Sequence, residues 1–274
     1  MGESATSSSG YARGPPWLFK GRALYQLHLV KAEIARAFIP KELKLVEAFG
    51  YTLGGLFLAH YDDSPTGLVV IAGIVWNPPT SCAWASRVLV NSHEACRHGR
   101  KEIGLPSHMA VFSKRETKAS DQPLYKNQIG SFHSKAKEHS DIEVLEMEDN
   151  SKISICSISL PCAGENWQGP KIRISLPSFS IYPCRVRAVK AAKISRPINT
   201  QHDNSSDAIE ASERNLGDRL TTEDEARNQS ISILLSKPIM ALEFNLLRMQ
   251  VEAPKIVSTQ SRPKKNQVGN LGTC

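Results

Sequence analysis

The run LVVIAGIVW, residues 68–76, sets the strongest limit on what this chain can become: nine apolar positions in a row, five of them β-branched. It is far shorter than the ~20 apolar residues of a membrane span. Side chains branched at Cβ fit a pleated surface better than a helix, so the run reads as a buried strand.

Such a strand needs neighbours, and the flanking segments supply them. RALYQLHLV (22–30) alternates in strand fashion, with Leu24, Leu27 and Leu29 as core candidates. LKLVEA, YTLGGLFLAHY and AWASRVLVN read as further strands, and the Gly54–Gly55 pair marks a bulge or a close backbone approach. KAEIARAF gives a short helix with Ile34, Ala35 and Phe38 on one face, stopped by Pro40. Asn91 or Ser92 is placed to cap the helix that follows the last of these strands. No βαβ rhythm is present, so the fold class is α+β with a mainly antiparallel sheet and a few short helices.

Strands resume at KISICSISL, PKIRISLPSF and CRVRAVKAAKI. Residues 196–230 are poor in apolar side chains and rich in charge, Ser and Asn, the composition of a disordered acidic insert. The segment SISILLSKPIMALEFNLLRMQVEAP then offers one or two long strands, which must pack back onto the earlier sheet to bury their apolar sides. The expected organisation is one discontinuous domain, 17–195 with 231–256. A disordered tail (1–16) precedes it and a disordered basic tail (257–274) follows it.

Charge and targeting signals exclude several function classes. The net charge is +7, yet residues 201–230 hold eight acidic and three basic side chains, so the rest of the chain carries +12. That surplus is scattered, apart from Arg262, Lys264 and Lys265, with no basic helix, aromatic RNA-binding motif or phosphate loop. Specific nucleic-acid recognition is not expected; the surplus fits general solubility or weak contact with an anionic surface such as that of a membrane. The N-terminus lacks the apolar core of a secretory signal and is a poor transit peptide. It does fit Met-Gly-x-x-x-Ser/Thr through Gly2 and Thr6, a permissive acylation pattern that Glu3 disfavours. The reading is an intracellular protein. Its six cysteines (82, 96, 156, 162, 184, 274) are reduced thiols without zinc spacing, and the sequons at Asn204 and Asn228 are idle.

The chemistry gathers around HGRKEIGLPSHMAVF (98–112). The frame GRKEIGLP, the strings PWLFKGRALYQLHLVKAEIARAFIPKELKLVEAFGYTLGG and IAGIVWNPPTSCAWASRVLVNSHEACRHGRKEIGLPS, and the later CRVRAV and LLSKPIMALEF resemble the acetoacetate decarboxylase-like superfamily. Within it they resemble a divergent plant branch. The resemblance implies an acetoacetate decarboxylase-like barrel.

The family's decarboxylases use a lysine that forms an iminium with a keto acid, its amine kept neutral by a neighbouring cation or an apolar pocket; acetoacetate decarboxylase is the standard example of this effect. Laid on the motif, Gly99, Arg100 and Pro106 match, while the two lysine positions are Ser107 and His108. Neither forms an iminium, and Lys101 and Lys114 flank the slot without occupying it. Arg22 matches the arginine that holds the substrate carboxylate. The family's acidic loop residue is missing: YDDSPTG runs straight into the apolar strand, so the short loop at Ser64–Leu68 marks a variant or a remodelled pocket.

What the resemblance implies is an accessory, non-catalytic role in neoxanthin formation within xanthophyll (carotenoid) biosynthesis, in a pathway that runs in plastids. The scaffold would hold an apolar isoprenoid or bind the neoxanthin-forming enzyme. The alternative is an enzyme of altered acid–base chemistry acting on violaxanthin, with Arg22 as anchor and His108 as proton carrier. Candidate ligand-binding residues are Arg22, Trp76, Trp84, Pro106, Ser107 and His108, the two tryptophans belonging to the rigid WNPPTSCAW turn. Ser107 lacks the surroundings of a hydrolase nucleophile. His60 with Asp62 and Asp63 reads as a solvated turn, and neither metal nor cofactor is expected.

Overall fold

A computed structural model of the chain describes residues 14–62, 65–78, 80–117, 139–148, 151–161, 169–175, 179–196 and 222–254. The expectations for residues 1–13 and 255–274, for most of the acidic insert (197–221), and for Asp63, Ser64, Cys162, Cys274 and Asn204 lie outside the described residues.

Among the described residues, strands join into one long sheet in the order β11-β8-β7-β6-β5-β4-β3-β1-β12-β10-β9, with β2 beside β4. The first half comprises β1 (Trp17–Lys31), helix α1 (Ala32–Arg36), β2 (Lys44–Leu45), β3 (Tyr51–Tyr61), β4 (Gly67–Asn77) and β5 (Thr80–Val90). Next come helix α2 (His93–His98), a π-turn (Gly99–Ile103) and β6 (Ser107–Thr117). The remainder is β7 (His139–Glu148), β8 (Ser151–Pro161), β9 (Lys171–Ser175), β10 (Phe179–Val189), β11 (Lys193–Ser195), helix α3 (Thr222–Leu234) and β12 (Lys237–Val251).

The pairing is antiparallel except for β5 with β6, where α2 and the π-turn form the crossover. Ser92 caps α2 by accepting from the Ala95 amide at 3.3 Å. The apolar run forms β4, and its Leu68, Val70, Ala72 and Val75 enter a core shared with β1, β3, β5, β6, β7, β8 and α3. Residues of so many strands meet in one cluster because the sheet curls around it.

Three expectations are corrected. On β1 the residues that face this core are Leu24, Gln26, His28 and Val30, whereas Leu27 is half-buried and Leu29 exposed. The strand keeps strict alternation from Leu24 onward, which places the two leucines on the other side. The polar pair survives burial because every ring and amide atom in reach is matched. The Gln26 amide donates to His28 Nε2 (2.9 Å) and to the Ala192 carbonyl (3.2 Å), and its oxygen accepts from the Ala192 amide (2.7 Å). His28 Nδ1 then donates to the Ile233 carbonyl at 3.1 Å. Burial holds the His28 pKa below its ordinary value, against the Ile233 bond, consistent with a neutral ring.

Second, residues 222–230 do not belong to the acidic insert. They begin α3, whose Arg227 and Ser230 are buried and whose Ile233 and Leu234 reach the core. Third, SISILL is therefore helix and not strand. Glu223, Asp224 and Glu225 lie in the first turn of α3, where negative charge offsets the exposed amides of a helix start. Burial of Ile233 and Leu234 supplies the tertiary contact that overrides the β-propensity of the isoleucines.

Candidate functional site

Adjacent residues on a strand face opposite ways, and β6 uses this to separate the two positions of the lysine slot. Ser107 is 1% exposed and turns toward α2 and the π-turn. A Cβ built on Gly99 would lie 2.3 Å from the Ser107 hydroxyl, so the two elements touch there with no room to spare. The Ser107 carbonyl accepts from Arg100 Nε at 2.5 Å and from the Cys96 thiol at 3.4 Å. Pro106 is exposed, and its carbonyl accepts from the Val88 amide at 2.9 Å. This side is closed packing.

His108 faces the other way, onto the surface shared with Arg87 and Leu89 of β5 and Ala110 of β6. There it meets charged groups from β5, β7 and α3. Its Nδ1 lies 2.9 Å from Glu146 Oε1. Arg87 grips the same carboxylate with Nε (3.0 Å) and Nη2 (2.7 Å), and Arg227 adds Nε at 3.3 Å. Arg87 also donates to Glu223 at 2.5 Å, and Arg227 to Glu148 at 2.5 Å and to Asp224.

Arg87 and Glu146 are each 2% exposed, and Arg227 is nearly as buried. Burial pushes the Glu146 carboxyl up, but the hydrogen bonds from His108 and Arg87 and their charges outweigh it and hold its pKa at about 2. Glu146 is therefore an anion at any physiological pH. The Arg227 pKa moves upward: burial works against its charge, and the charges of Glu146 and Glu148 with the Asp224 bond overcome that.

A cleft of about 610 Å³ opens beside this network, lined in part by His93, Arg97, Arg100, Lys101, His108 and Glu223. Cys96, Met109 and Met147 are its apolar residues, and its surface is about equally polar and apolar. With Nδ1 turned to Glu146, His108, which lines the cleft, keeps Nε2 as its other ring nitrogen. A carboxylate-oriented imidazole of this kind can move a proton.

His108, Glu146 and Glu223 offer ligand atoms within 4.8 Å of one another. They make a poor cation site, because each Glu146 oxygen already accepts two donors and two guanidinium groups lie alongside. A metal ion would have to displace Arg87.

The other sequence candidates lie elsewhere. Arg22 is exposed on β1, opposite His60 of β3, and does not line the cleft. Trp84 is half-buried and donates to the Phe38 carbonyl at 2.8 Å, and Trp76 is exposed at the far end of the β4–β5 hairpin. His60 bonds to Thr66 at 2.9 Å.

The residues missing from the sequence reading are Arg87, Glu146, Glu148, Glu223 and Arg227. Two signals pointed to them. Arg87 interrupts an otherwise core-forming strand, SRVLV, and Glu146 and Glu148 share one face of the strand VLEME.

No protein-family model matches the chain. Among curated proteins it is 53% identical to Protein NEOXANTHIN-DEFICIENT 1 of Oryza sativa subsp. japonica, with 96% of each chain covered. Identity to the protein of the same name is 51% in Solanum lycopersicum (93% of this chain, 96% of that one) and 48% in Arabidopsis thaliana (93% and 98%). Among solved structures it is similar to the enduracididine biosynthesis enzyme MppR complexed with pyruvate, at TM-score 0.50 and 12% identity over 93% of this chain and 95% of that one. Acetoacetate decarboxylase from Legionella pneumophila gives TM-score 0.50 and 10% identity over 89% and 87%. At these identities the structural likeness speaks for the acetoacetate decarboxylase-like fold alone, as the sequence motif led us to expect.

Proposed function

The chain belongs to the NEOXANTHIN-DEFICIENT 1 family, and we propose that it serves neoxanthin formation as an accessory protein that has left Schiff-base chemistry behind. The observation that carries this reading is the fate of the lysine slot. Serine and imidazole stand where amines are required, and the Ser107 side is packed shut against Gly99. On the other face, Arg87, Glu146 and Arg227 satisfy one another as a buried lock.

The cleft beside His108 is lined chiefly by charged side chains. Those charges suit a polar contact better than a long polyene, since an apolar ligand would strip water from them without replacing it. Of the two accessory roles, binding the neoxanthin-forming enzyme in the plastid therefore fits better than carrying the isoprenoid.

A second reading, catalysis of the conversion itself, rests on the His108–Glu146 hydrogen bond. Violaxanthin and neoxanthin are isomers. One epoxide C–O bond breaks, its oxygen gains a proton, and a carbon-bound proton leaves as the allene forms, so acid–base groups suffice without redox chemistry. One experiment separates the readings. Purified protein is incubated with violaxanthin in detergent, and a His108→Ala variant is returned to a plant line lacking the protein. No conversion in vitro, with restored neoxanthin in planta, is the expected result. Conversion by the purified protein, abolished by His108→Ala, overturns the accessory role.

A further inference from the structure

At the end of the sheet away from the cleft, the outer surface carries an apolar strip that no other described residue covers. Leu29 of β1 and Leu53 of β3 are register partners and both are exposed. Met240 of β12 pairs with Leu27 next to them, and Val46 and Trp76 extend the strip past β2. Their sequence neighbours Val30, Leu45 and Val75 point inward to the core, so these side chains face out because the strand alternation leaves them no other side.

Phe49 stands at the tip of this region. Residues 48–51 form a two-residue hairpin turn, with the Ala48 and Tyr51 amides and carbonyls bonded reciprocally at 2.9 Å. Both central residues have positive φ, 53° at Phe49 and 78° at Gly50. This is type I′ geometry, which favours Asn, Asp or Gly at the first position and penalises a bulky residue. Phe49 is also completely exposed. Backbone strain costs stability, and a ring as hydrated in the fold as in the unfolded chain returns none of it.

The charges around the strip are biased. Lys31 is matched by Glu33, and Arg36 by Glu47. Lys44 pairs in register with Trp76 and Lys237 with Leu29, so each flanks one end of the strip, while exposed Lys41 stands against exposed Glu42.

We infer that this surface docks on a lipid bilayer with anionic headgroups, Phe49 inserting at the headgroup–acyl boundary and Lys44 and Lys237 meeting the lipid charge. A convex tip bearing one aromatic, with apolar side chains behind it and lysines on its flanks, matches the soft interfacial layer of a membrane. A protein partner would need a preformed socket for Phe49. The inference does not rest on the accessory reading above, and no helix of the described residues is long and apolar enough to cross a membrane.

The test compares sedimentation of the full chain with vesicles of phosphatidylcholine alone and of phosphatidylcholine with phosphatidylglycerol. Wild type should partition to the anionic vesicles. Phe49→Asn should weaken that partitioning by about tenfold to a hundredfold, the consequence of losing one buried aromatic side chain. The same variant should melt no lower than wild type, since asparagine tolerates the left-handed backbone. Lys44→Glu with Lys237→Glu should abolish the preference for anionic lipid. Three outcomes overturn the inference: no binding to either vesicle, binding that Phe49→Asn leaves unchanged, or a lipid-free dimer in solution that Phe49→Asn dissociates.

Discussion

Replacing Glu146 by glutamine removes the charge that Arg87, Arg227 and His108 all address, while keeping the side-chain shape. At neutral pH two guanidinium groups, one 2% and one 6% exposed, then face a neutral amide. Breaking a buried ion pair by removing one partner costs about 3–5 kcal/mol. Glu223, Glu148 and Asp224 remain as partners for the arginines, so about 3 kcal/mol is the expected loss. For a chain of this size that lowers Tm by roughly 6–12 °C.

The pH dependence gives an independent magnitude. The Glu146 carboxyl falls from its ordinary 4.5 to about 2 on folding. At about 1.4 kcal/mol per pH unit, the interval again amounts to about 3 kcal/mol. Because the folded pKa is the lower one, this stabilisation is complete above pH ~4.5 and disappears as pH falls toward ~2. Urea unfolding from pH 7 to pH 2 should show that acid limb in wild type and a much shallower one in Glu146→Gln. A variant with unchanged midpoint at pH 7 and the same acid limb would refute the argument that Glu146 anchors the network. Joint replacement of Arg87, Glu146 and Arg227 by Met, Leu and Met should recover much of the stability, since no fully buried charge is then stranded and Glu148, Glu223 and Asp224, which lose their arginines, are partly exposed to water.

Other expectations follow from single contacts. Acetoacetate with borohydride should leave the protein mass unchanged, and an adduct on Lys101 or Lys114 would contradict the loss of imine chemistry. Ser107→Lys should destabilise strongly, because its side chain would meet Gly99, whereas His108→Lys should fold, facing the cleft beside an anionic Glu146; thermal melts of both distinguish them. Gly55→Ala should cost several kcal/mol, since a Cβ there would lie 2.1 Å from the Gln26 carbonyl oxygen at φ +130°. Removing residues 222–230 should lower Tm sharply by deleting Glu223 and Arg227, and an unchanged melt would show that α3 contributes nothing to the lock.

Local pattern determined a good deal. The apolar run is β4, the alternating segments are β1, β3 and β5, Ser92 is the cap of α2, and the absence of a βαβ rhythm implies the mainly antiparallel sheet. The replaced lysine slot was also legible, because it is a matter of residue identity at a fixed spacing from Gly99 and Pro106. These features depend on neighbours a few residues apart, and periodicity reports such neighbours directly.

The network was not legible. Arg87 and Glu146 are 59 positions apart, and Arg87 and Glu223 are 136 apart, and no local signal says which distant carboxylate will meet a buried guanidinium. For the same reason local pattern favours Leu29 over Gln26 and His28 as core: the choice of inner face on β1 depends on Ala192 and Ile233 arriving to satisfy two polar side chains. Residues 222–229 have the charged composition of an insert and the isoleucine-rich SISILL suits a strand, until a curled sheet offers a concave face on which one helix spans both. Sequence determined most of the extended segments and which residues stand in the lysine slot. Tertiary structure decided which face is inside and which charges become partners, because burial makes an unmatched polar group costly and only the assembled fold supplies the match.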